Sequence, residues 1–279
     1  MKTTEIKTDK GYTVTANIYE AETKDAVLII ASATGVKQSF YSKFAEFVSV
    51  NYISVVTFDY MGIGSSLKQP IKELRNNASD WGNNDLEAII KFTKKNYPNA
   101  KITLLGHSIG GQLIGLAKSS SQIHKLILVS AQSGYWKLWK GNDKLKMWLN
   151  WHILFPMLIN IFGYMPSKKI SGMENLPKNV AKQWSSWGKK VNYLFDEVSE
   201  QELFFKNISL KMLAISIEND FYAPKKAVDW LTEKYENADV KRLHLIPKDY
   251  NAKDIGHFGV FREKFADNLW KLLLHEIEK

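Results

Sequence analysis

A serine flanked by glycines at a fixed spacing is the chain's clearest chemical feature. Ser108 lies within Gly-His-Ser-Ile-Gly at residues 106–110, which is the pattern G-x-S-x-G. An apolar run at 101–105 leads into it, and a run compatible with a helix follows at 112–118. A strand, a tight turn and a helix in this order present a serine hydroxyl as a nucleophile at the carboxyl end of the strand. The glycines are needed because larger side chains two residues either side of the serine would collide across the turn.

A serine hydroxyl is a weak nucleophile near neutral pH, so it needs a base and an acid that orients the base. Asp220 is the candidate acid because it directly follows an apolar strand at 212–217, and Glu218 is the alternative. His257 is the candidate base, on a glycine-flanked loop before the last helix. His107 fits this role less well, since it lies within the turn and its side chain should point away from the serine. A turn aspartate and a helix-start histidine are the ordinary structural alternatives.

The order of apolar segments predicts the scaffold that must position these side chains. Short apolar runs alternate with segments of helical periodicity, which is typical of a mostly parallel, doubly wound α/β sheet. In such sheets ligands bind at the carboxyl ends of the strands, where the candidate serine falls. The predicted strands are 3–8, 12–19, 26–31, 53–58, 101–105, 125–130, 210–217 and 241–246, and the predicted helices include 40–50, 85–97 and 259–277.

The strand pattern is interrupted between residues 132 and 209, where six of the nine tryptophans lie. We therefore predict a helical cap at 132–209, inserted into an α/β core formed by 1–131 and 210–279. Large aromatic side chains in such a cap would form an apolar pocket for a substrate. The candidate substrate-binding residues are Trp136, Trp139, Trp148 and Trp151.

One stretch of the predicted cap, Met147–Met165, carries no formal charge over 19 residues. A transmembrane helix needs about 20 apolar residues. Polar side chains such as Asn150 and His152 interrupt the stretch, and a membrane span would pull the flanking strands apart. We therefore predict no transmembrane segment, with contact at a membrane surface as an alternative.

Composition narrows the classes of protein further. The 279 residues contain no cysteine, which excludes disulfides, thiolate metal sites and a cysteine nucleophile. The net charge is +9, but only three of the 38 basic residues are arginine, and no basic run carries interleaved aromatics. Nucleic-acid binding is therefore not expected. The first ten residues contain no apolar signal segment, so a cytoplasmic location is expected.

Taken together, the motifs resemble those of the α/β-hydrolase superfamily. The matching residues are Ser108 in Gly-His-Ser-Ile-Gly-Gly, Asp220 in Glu-Asn-Asp-Phe-Tyr-Ala-Pro and His257 in Gly-His-Phe-Gly. The turn at 59–65 resembles the superfamily's Asp-x-Arg-Gly-x-Gly-x-Ser, with Met61 in place of the arginine.

The resemblance covers residues 12–131 and 210–279, and the insertion falls where the superfamily places its lid. Within the superfamily, the chain is most similar to a little-characterised group of predicted bacterial serine hydrolases. Their Ala-Thr-Gly-Val loop and Gly-His-Phe-Gly-x-Phe-Arg tail are found here at 33–36 and 256–262.

The resemblance implies hydrolysis of a carboxylic ester through an acyl-enzyme on Ser108, and the aromatic composition of the cap favours an apolar or acyl-chain substrate. His257 would take the serine's proton while Asp220 orients the imidazole, and no metal or organic cofactor would be needed. Many relatives carry His-Gly after the third strand, and this chain does not. The expected oxyanion donors are therefore the backbone N–H groups of Thr34 and Ile109.

Three other functions are compatible with the same residues. An acyltransferase or thioesterase would keep the site and change the acceptor. A peptidase that trims short peptides would need acidic residues to bind the free N-terminus of its substrate, and Glu174, Asp196 and Glu197 are candidates. A non-catalytic binding protein would keep the three residues without using them. The expected partner is a small-molecule ester, and the sequence does not indicate the oligomeric state.

Overall fold

An eight-stranded sheet forms the centre of the computed structural model, which describes residues 1–279. The strand order is β1-β2-β4-β3-β5-β6-β7-β8. β1 and β2 pair antiparallel with their neighbours, and all pairs from β4 to β8 are parallel. The strands are β1 (Lys2–Lys7), β2 (Thr13–Tyr19), β3 (Ala26–Ala31), β4 (Ser54–Phe58), β5 (Lys101–His107), β6 (Lys125–Val129), β7 (Lys211–Ile217) and β8 (Asp239–Leu245).

The predicted α/β class is confirmed, and each predicted strand is found with its ends shifted by at most two residues. The strands β3 to β7 are easy to predict because most of their side chains are apolar and buried. In β3, for example, Val27 and Ile29 pack into one hydrophobic cluster while Leu28 and Ile30 pack into a second cluster. Successive side chains of a strand point to opposite faces, so the two clusters lie on the two faces of the sheet.

Ten α-helices surround the sheet or lie at its carboxyl edge. They are α1 (Ser42–Val50), α2 (Glu87–Asn96), α3 (Ile109–Leu113), α4 (Gly141–Leu149), α5 (Phe155–Phe162), α6 (Ser167–Ile170), α7 (Lys178–Lys189), α8 (Lys225–Thr232), α9 (Gly256–Gly259) and α10 (Lys271–Glu278). Single π-helical turns precede α2, α5 and α10, at Trp81–Leu86, Asn150–Leu154 and Ala266–Trp270.

Two predicted helices differ from the structure. The helix expected at 112–118 is α3, which begins at Ile109 and gives way to a 3₁₀ turn. Gly115 in that turn lies against the ring of Phe205, where an added Cβ would be 2.3 Å from a ring carbon. The helix therefore stops where another segment crosses it.

The prediction of a single C-terminal helix at 259–277 is also wrong. The chain leaves α9 and becomes extended at Arg262, and α10 begins only at Lys271. This bend lets Phe261 and Phe265 both pack into the smaller core cluster. The Trp270 indole N–H then donates to the Val260 carbonyl at 3.0 Å, which fixes the bend. The apolar spacing resembles one long helix because both arms bury side chains on the same side.

Residues 132–209, between β6 and β7, contain α4 to α7 and form the inserted segment. Its buried side chains, such as Trp151, Phe155 and Trp187, belong to the larger core cluster of 50 residues. A Cβ added to Gly188 on α7 would lie 2.4 Å from the Trp151 indole nitrogen, so α7 packs directly on that ring. No helix combines the length and the apolar character needed to cross a membrane.

A buried carboxylate ties the start of β2 to the loop after β4. The Tyr12 hydroxyl donates to Asp85 Oδ1 at 2.5 Å, and the Met61 backbone N–H donates to Oδ2 at 2.8 Å. Burial raises the pKa of Asp85 to about 7 despite these hydrogen bonds. The folded protein therefore binds a proton here at pH values where the unfolded chain has lost it.

We expect Asp85 to lower the free energy of unfolding as the pH rises from about 5 to about 8, because its raised pKa makes the folded state keep a proton that the unfolded chain has lost. The buried neutral His107 contributes a slope of the opposite sign up to about pH 6.5, so the effect of Asp85 is measured as a difference between variants. Asp85→Asn keeps the shape of the side chain and removes the ionisation, so the free energy of unfolding should rise with pH relative to that of the unchanged protein. Urea unfolding at several pH values measures the effect. Asp25→Asn, at an exposed position, is the control. An Asp85→Asn profile with the same pH dependence as that of the control would contradict the expectation.

Candidate active site

Ser108 occupies the tight turn between β5 and α3, in a strained backbone conformation with φ of 54° and ψ of −120°. The glycines around it are required by close approaches. A Cβ on Gly106 would lie 2.5 Å from the Gly111 Cα, and a Cβ on Gly110 would lie 2.2 Å from the Ala31 carbonyl oxygen. The G-x-S-x-G spacing thus reflects one contact across the turn and one contact with the neighbouring strand β3.

Asp220 lies in the turn after β7, where Asn219 adopts a left-handed conformation with φ of 62°. Its Oδ1 accepts hydrogen bonds from the backbone N–H groups of Tyr222 at 2.9 Å and Ala223 at 3.0 Å. Burial alone would raise the pKa of this carboxyl, but the neighbouring His257 and these hydrogen bonds outweigh it and lower the pKa. Asp220 is therefore an anion inside the protein.

His257 lies in α9, directly after Gly256, whose φ is 61°. Its Nδ1 is 2.9 Å from Asp220 Oδ2 and 3.1 Å from Oδ1. Because the carboxylate can only accept, Nδ1 must carry the hydrogen, and Nε2 is left free to accept a proton. Glu218, the alternative acid, is exposed and does not bond to this imidazole.

The structure brings Ser108 and His257 to the wall of one cavity, and both side chains are buried. No hydrogen bond joins the Ser108 hydroxyl to the imidazole in this structure. Such bonds are often long before a substrate binds and tighten in the reacting complex. The three predicted residues thus meet as one Asp–His pair and one serine that faces the same space.

The backbone amides of Thr34 and Ile109 are the predicted oxyanion donors. Ile109 is the first residue of α3, so its N–H has no acceptor within the helix. Thr34 lines the cavity, and its N–H likewise donates to no group of the protein. The loop that carries Thr34 is a tight turn closed by the Val36 N–H on the Ala33 carbonyl at 3.1 Å. Neither predicted oxyanion donor is therefore occupied by another group of the protein.

A hydrogen-bonded chain behind His257 was missed by sequence reasoning. The Ala33 N–H donates to the Tyr41 hydroxyl at 3.0 Å, and this hydroxyl lies 2.8 Å from His107 Nδ1. His107 Nε2 lies 2.9 Å from the backbone carbonyl of His257, so Nε2 must carry a hydrogen and the Tyr41 hydroxyl must donate to Nδ1. Complete burial lowers the pKa of His107 to about 3, which keeps the ring neutral.

This chain links the Thr34 loop to the His257 backbone through side chains that touch no part of the cavity. The expectation that His107 points away from the serine agrees with its absence from the cavity wall. The signal that could have found His107 is its place at the end of β5, next to Ser108, where a buried polar ring must find two partners.

The cavity has a volume of about 540 Å³, and 17 of its 28 lining residues are hydrophobic. Of the predicted substrate-binding tryptophans, Trp139 and Trp151 line it. Trp136 and Trp148 do not, because they pack around the His152 ring with centroids 6.1 and 4.8 Å away. Sequence reasoning missed Trp184 on α7, which does line the cavity.

The acidic residues that could bind the free N-terminus of a peptide substrate do not form a cluster. Glu174 is the only acidic residue of the cavity wall, and it pairs with Lys168 at 3.4 Å and Lys37 at 3.7 Å. Glu197 pairs with Lys190 at 2.8 Å, and Asp196 bonds to the Asn192 side chain at 2.9 Å, both outside the cavity wall. The cavity is therefore mostly apolar, and its polar residues are those around Ser108, the compensated carboxylate of Glu174, and Gln132, Lys146, Asn150, Ser167 and Ser171.

The mostly parallel sheet, the strained serine at its carboxyl edge and the helices around it define an α/β hydrolase. The chain belongs to the Hydrolase_4 family, described as serine aminopeptidase, S33, whose family model matches residues 22–250. A comparison with the curated proteins gave no match.

Solved structures with this fold cover nearly the whole chain at low sequence identity. An esterase from Exiguobacterium antarcticum is 14% identical, with 99% of both chains covered and a TM-score of 0.63. A soluble variant of the monoglyceride lipase from Saccharomyces cerevisiae, solved with a substrate analogue, is 12% identical, with 98% of this chain and 94% of that chain covered and a TM-score of 0.67. An esterase from Pyrococcus furiosus is 17% identical, with 99% and 89% covered and a TM-score of 0.61.

We expect Tyr41→Phe to lower the free energy of unfolding by about 1–3 kcal/mol, because it leaves the Ala33 N–H and His107 Nδ1 buried without partners. Tyr60→Phe is the matched control, since the Tyr60 hydroxyl is buried without a hydrogen bond. Urea unfolding of both variants measures the difference. Equal losses in the two variants would show that the Tyr41 hydroxyl contributes nothing beyond its packing.

Proposed function

We propose that this α/β hydrolase cleaves carboxylic esters through a triad of Ser108, His257 and Asp220. The observation that carries the proposal is the buried Asp220 carboxylate on His257 Nδ1, with Nε2 free, in the cavity that Ser108 also lines. A hydroxyl becomes a competent nucleophile when such an oriented base lies beside it.

In the proposed reaction, Ser108 Oγ attacks the acyl carbonyl and its proton passes to His257 Nε2. The Asp220 anion stabilises the imidazolium that forms, which its lowered pKa allows at neutral pH. The tetrahedral oxyanion accepts hydrogen bonds from the Thr34 and Ile109 amides. His257 then donates its proton to the leaving alcohol. Water attacks the acyl-enzyme while His257 takes its proton, and His257 returns that proton to Ser108 as the carboxylic acid leaves.

The shape and chemistry of the cavity favour an apolar acyl chain as the substrate's main contact. A volume of about 540 Å³ is within the range of small-molecule sites. Side chains from the inserted segment, including Trp151 and Trp184, form much of its wall. In this proposal the inserted segment acts as a lid over the triad and supplies the binding surface for the acyl group.

The same wall argues against cleavage at a free peptide N-terminus, although the family's description names an aminopeptidase. An ammonium group needs an uncompensated carboxylate, and the only acidic residue of the wall already pairs with Lys37 and Lys168. An ester with an uncharged acyl chain has no such requirement. Ester hydrolysis is therefore the better match to the site.

We expect a fluorophosphonate probe to label Ser108, because this reagent reports an activated serine. Ser108→Ala should abolish the labelling, and His257→Ala should slow it by about 100-fold or more, because proton transfer to a positioned base is lost. Peptide mass mapping locates the modified residue. Ser171→Ala and His152→Ala are the matched controls, since Ser171 lines the same cavity and neither residue is part of the triad.

Labelling of a different serine, or unchanged labelling of His257→Ala, would overturn the triad. Turnover of p-nitrophenyl esters of increasing chain length then tests the ester assignment. Hydrolysis of amino-acid naphthylamides in preference to these esters would favour the aminopeptidase instead.

A further inference from the structure

An exposed row of apolar side chains runs along the longest helical stretch of the inserted segment. Helix α4, the π-helical turn at Asn150–Leu154 and α5 follow one another without a break. One row at steps of four residues is buried and consists of Met147, Trp151, Phe155 and Ile159. A second row at the same step is 41–66% exposed and consists of Leu145, Leu149, Ile153, Met157 and Ile161.

The π-helical turn explains how five residues at this step stay on one side. An α-helix advances about 100° per residue, so each step of four residues rotates the row by about 40°. A π-helical turn contains more residues per turn and rotates the same step in the opposite sense. Its position at Asn150–Leu154, in the middle of the row, offsets the drift accumulated in α4 and α5.

The exposed row is continuous with the mouth of the candidate active site. Leu149, Ile153 and Met157 line the cavity while they remain exposed to solvent. Ile170, which is 53% exposed at the end of α6, also lines it. We call these six residues, the row with Ile170, the apolar rim. Large contiguous patches of exposed apolar surface mark interaction sites.

Lysines flank the apolar rim. Between residues 137 and 173 the chain contains six lysines and one acidic residue, Asp143. Asp143 pairs with Lys146, and Lys168 pairs with Glu174 just beyond this range. The remaining lysines are exposed and make no salt bridge, and they are Lys137, Lys140, Lys144 and Lys169.

We propose that the apolar rim and its flanking lysines bind the surface of an anionic lipid membrane. The rim side chains would enter the boundary between headgroups and acyl chains, and the lysines would contact the anionic headgroups. A second copy of the chain is a poorer match, because a two-fold interface would bring the same uncompensated lysines together. The proposal concerns binding alone and does not depend on the proposed function.

Vesicle binding tests this surface directly. The Ser108→Ala protein is mixed with vesicles of phosphatidylcholine alone or of phosphatidylcholine with phosphatidylglycerol, and the bound fraction is measured by flotation. We expect at least about tenfold tighter binding to the anionic vesicles, weakened by added salt. The use of Ser108→Ala separates this result from any failure of the catalytic proposal.

The decisive variant combines Leu145→Asp and Ile161→Asp, two rim positions that do not line the cavity. We expect it to lose at least about tenfold in binding to anionic vesicles, since acidic groups oppose both insertion and the lipid charge. Turnover of a soluble ester should be unchanged. The control is Val50→Asp, an apolar position at the end of α1 that is even more exposed than the two rim positions.

Two further double variants distinguish the effect of the lysines beside the rim from the effect of the protein's overall positive charge. Lys140→Ser with Lys144→Ser should weaken binding to anionic vesicles, while Lys95→Ser with Lys101→Ser should not. Equal binding to neutral and anionic vesicles, or equal binding by the rim variant and Val50→Asp, would overturn the proposal. Sedimentation that shows a dimer dissociated by the rim variant would identify the rim as a contact between copies instead.

Discussion

The crowding around the turn between β5 and α3 is the constraint on which the rest of the site depends. Gly106 and Gly110 bring the turn close to itself and to β3, and Gly111 brings it close to Ala131, so no larger residue fits at these positions. The Ser108 N–H donates to the Val129 carbonyl on β6 at 2.9 Å, which anchors the strained residue to the next strand. Strain of this kind persists only where the surroundings hold it. The same contacts place the Ile109 amide beside the serine. The crowded turn therefore fixes both the position of Ser108 and that of a hydrogen-bond donor next to it.

Hydrogen bonds behind the proposed triad hold His257 in place. His107 accepts from Tyr41 and donates to the His257 backbone, and burial keeps its ring neutral. On the other side of the imidazole, Asp220 is held by two backbone amides. Each of these buried groups has its partners satisfied, which makes any other arrangement costly in the low-dielectric interior. His257 is therefore positioned by its side chain and its backbone together.

The inserted segment has two roles that follow from the same helical stretch. One row of its side chains enters the larger core cluster, with Trp151 packed on Gly188 of α7. The opposite row remains in solvent and borders the cavity mouth. Burial of one face fixes the helices against the sheet, and that fixed position determines which side chains reach the cavity. The apolar cavity and the apolar rim are thus consequences of one packing arrangement.

The sequence by itself determined the strands, their α/β order and the residues at the ends of β5 and β7, since apolar runs and glycine spacing are local patterns. Asp220 and His257 could be named because chain order places them after late strands of a parallel sheet. The bend at Arg262, the choice of Trp139 and Trp184 over Trp136 and Trp148, and the bonds of His107 could not be predicted. Each depends on contacts between segments far apart in the chain, and only the tertiary structure brings those segments together.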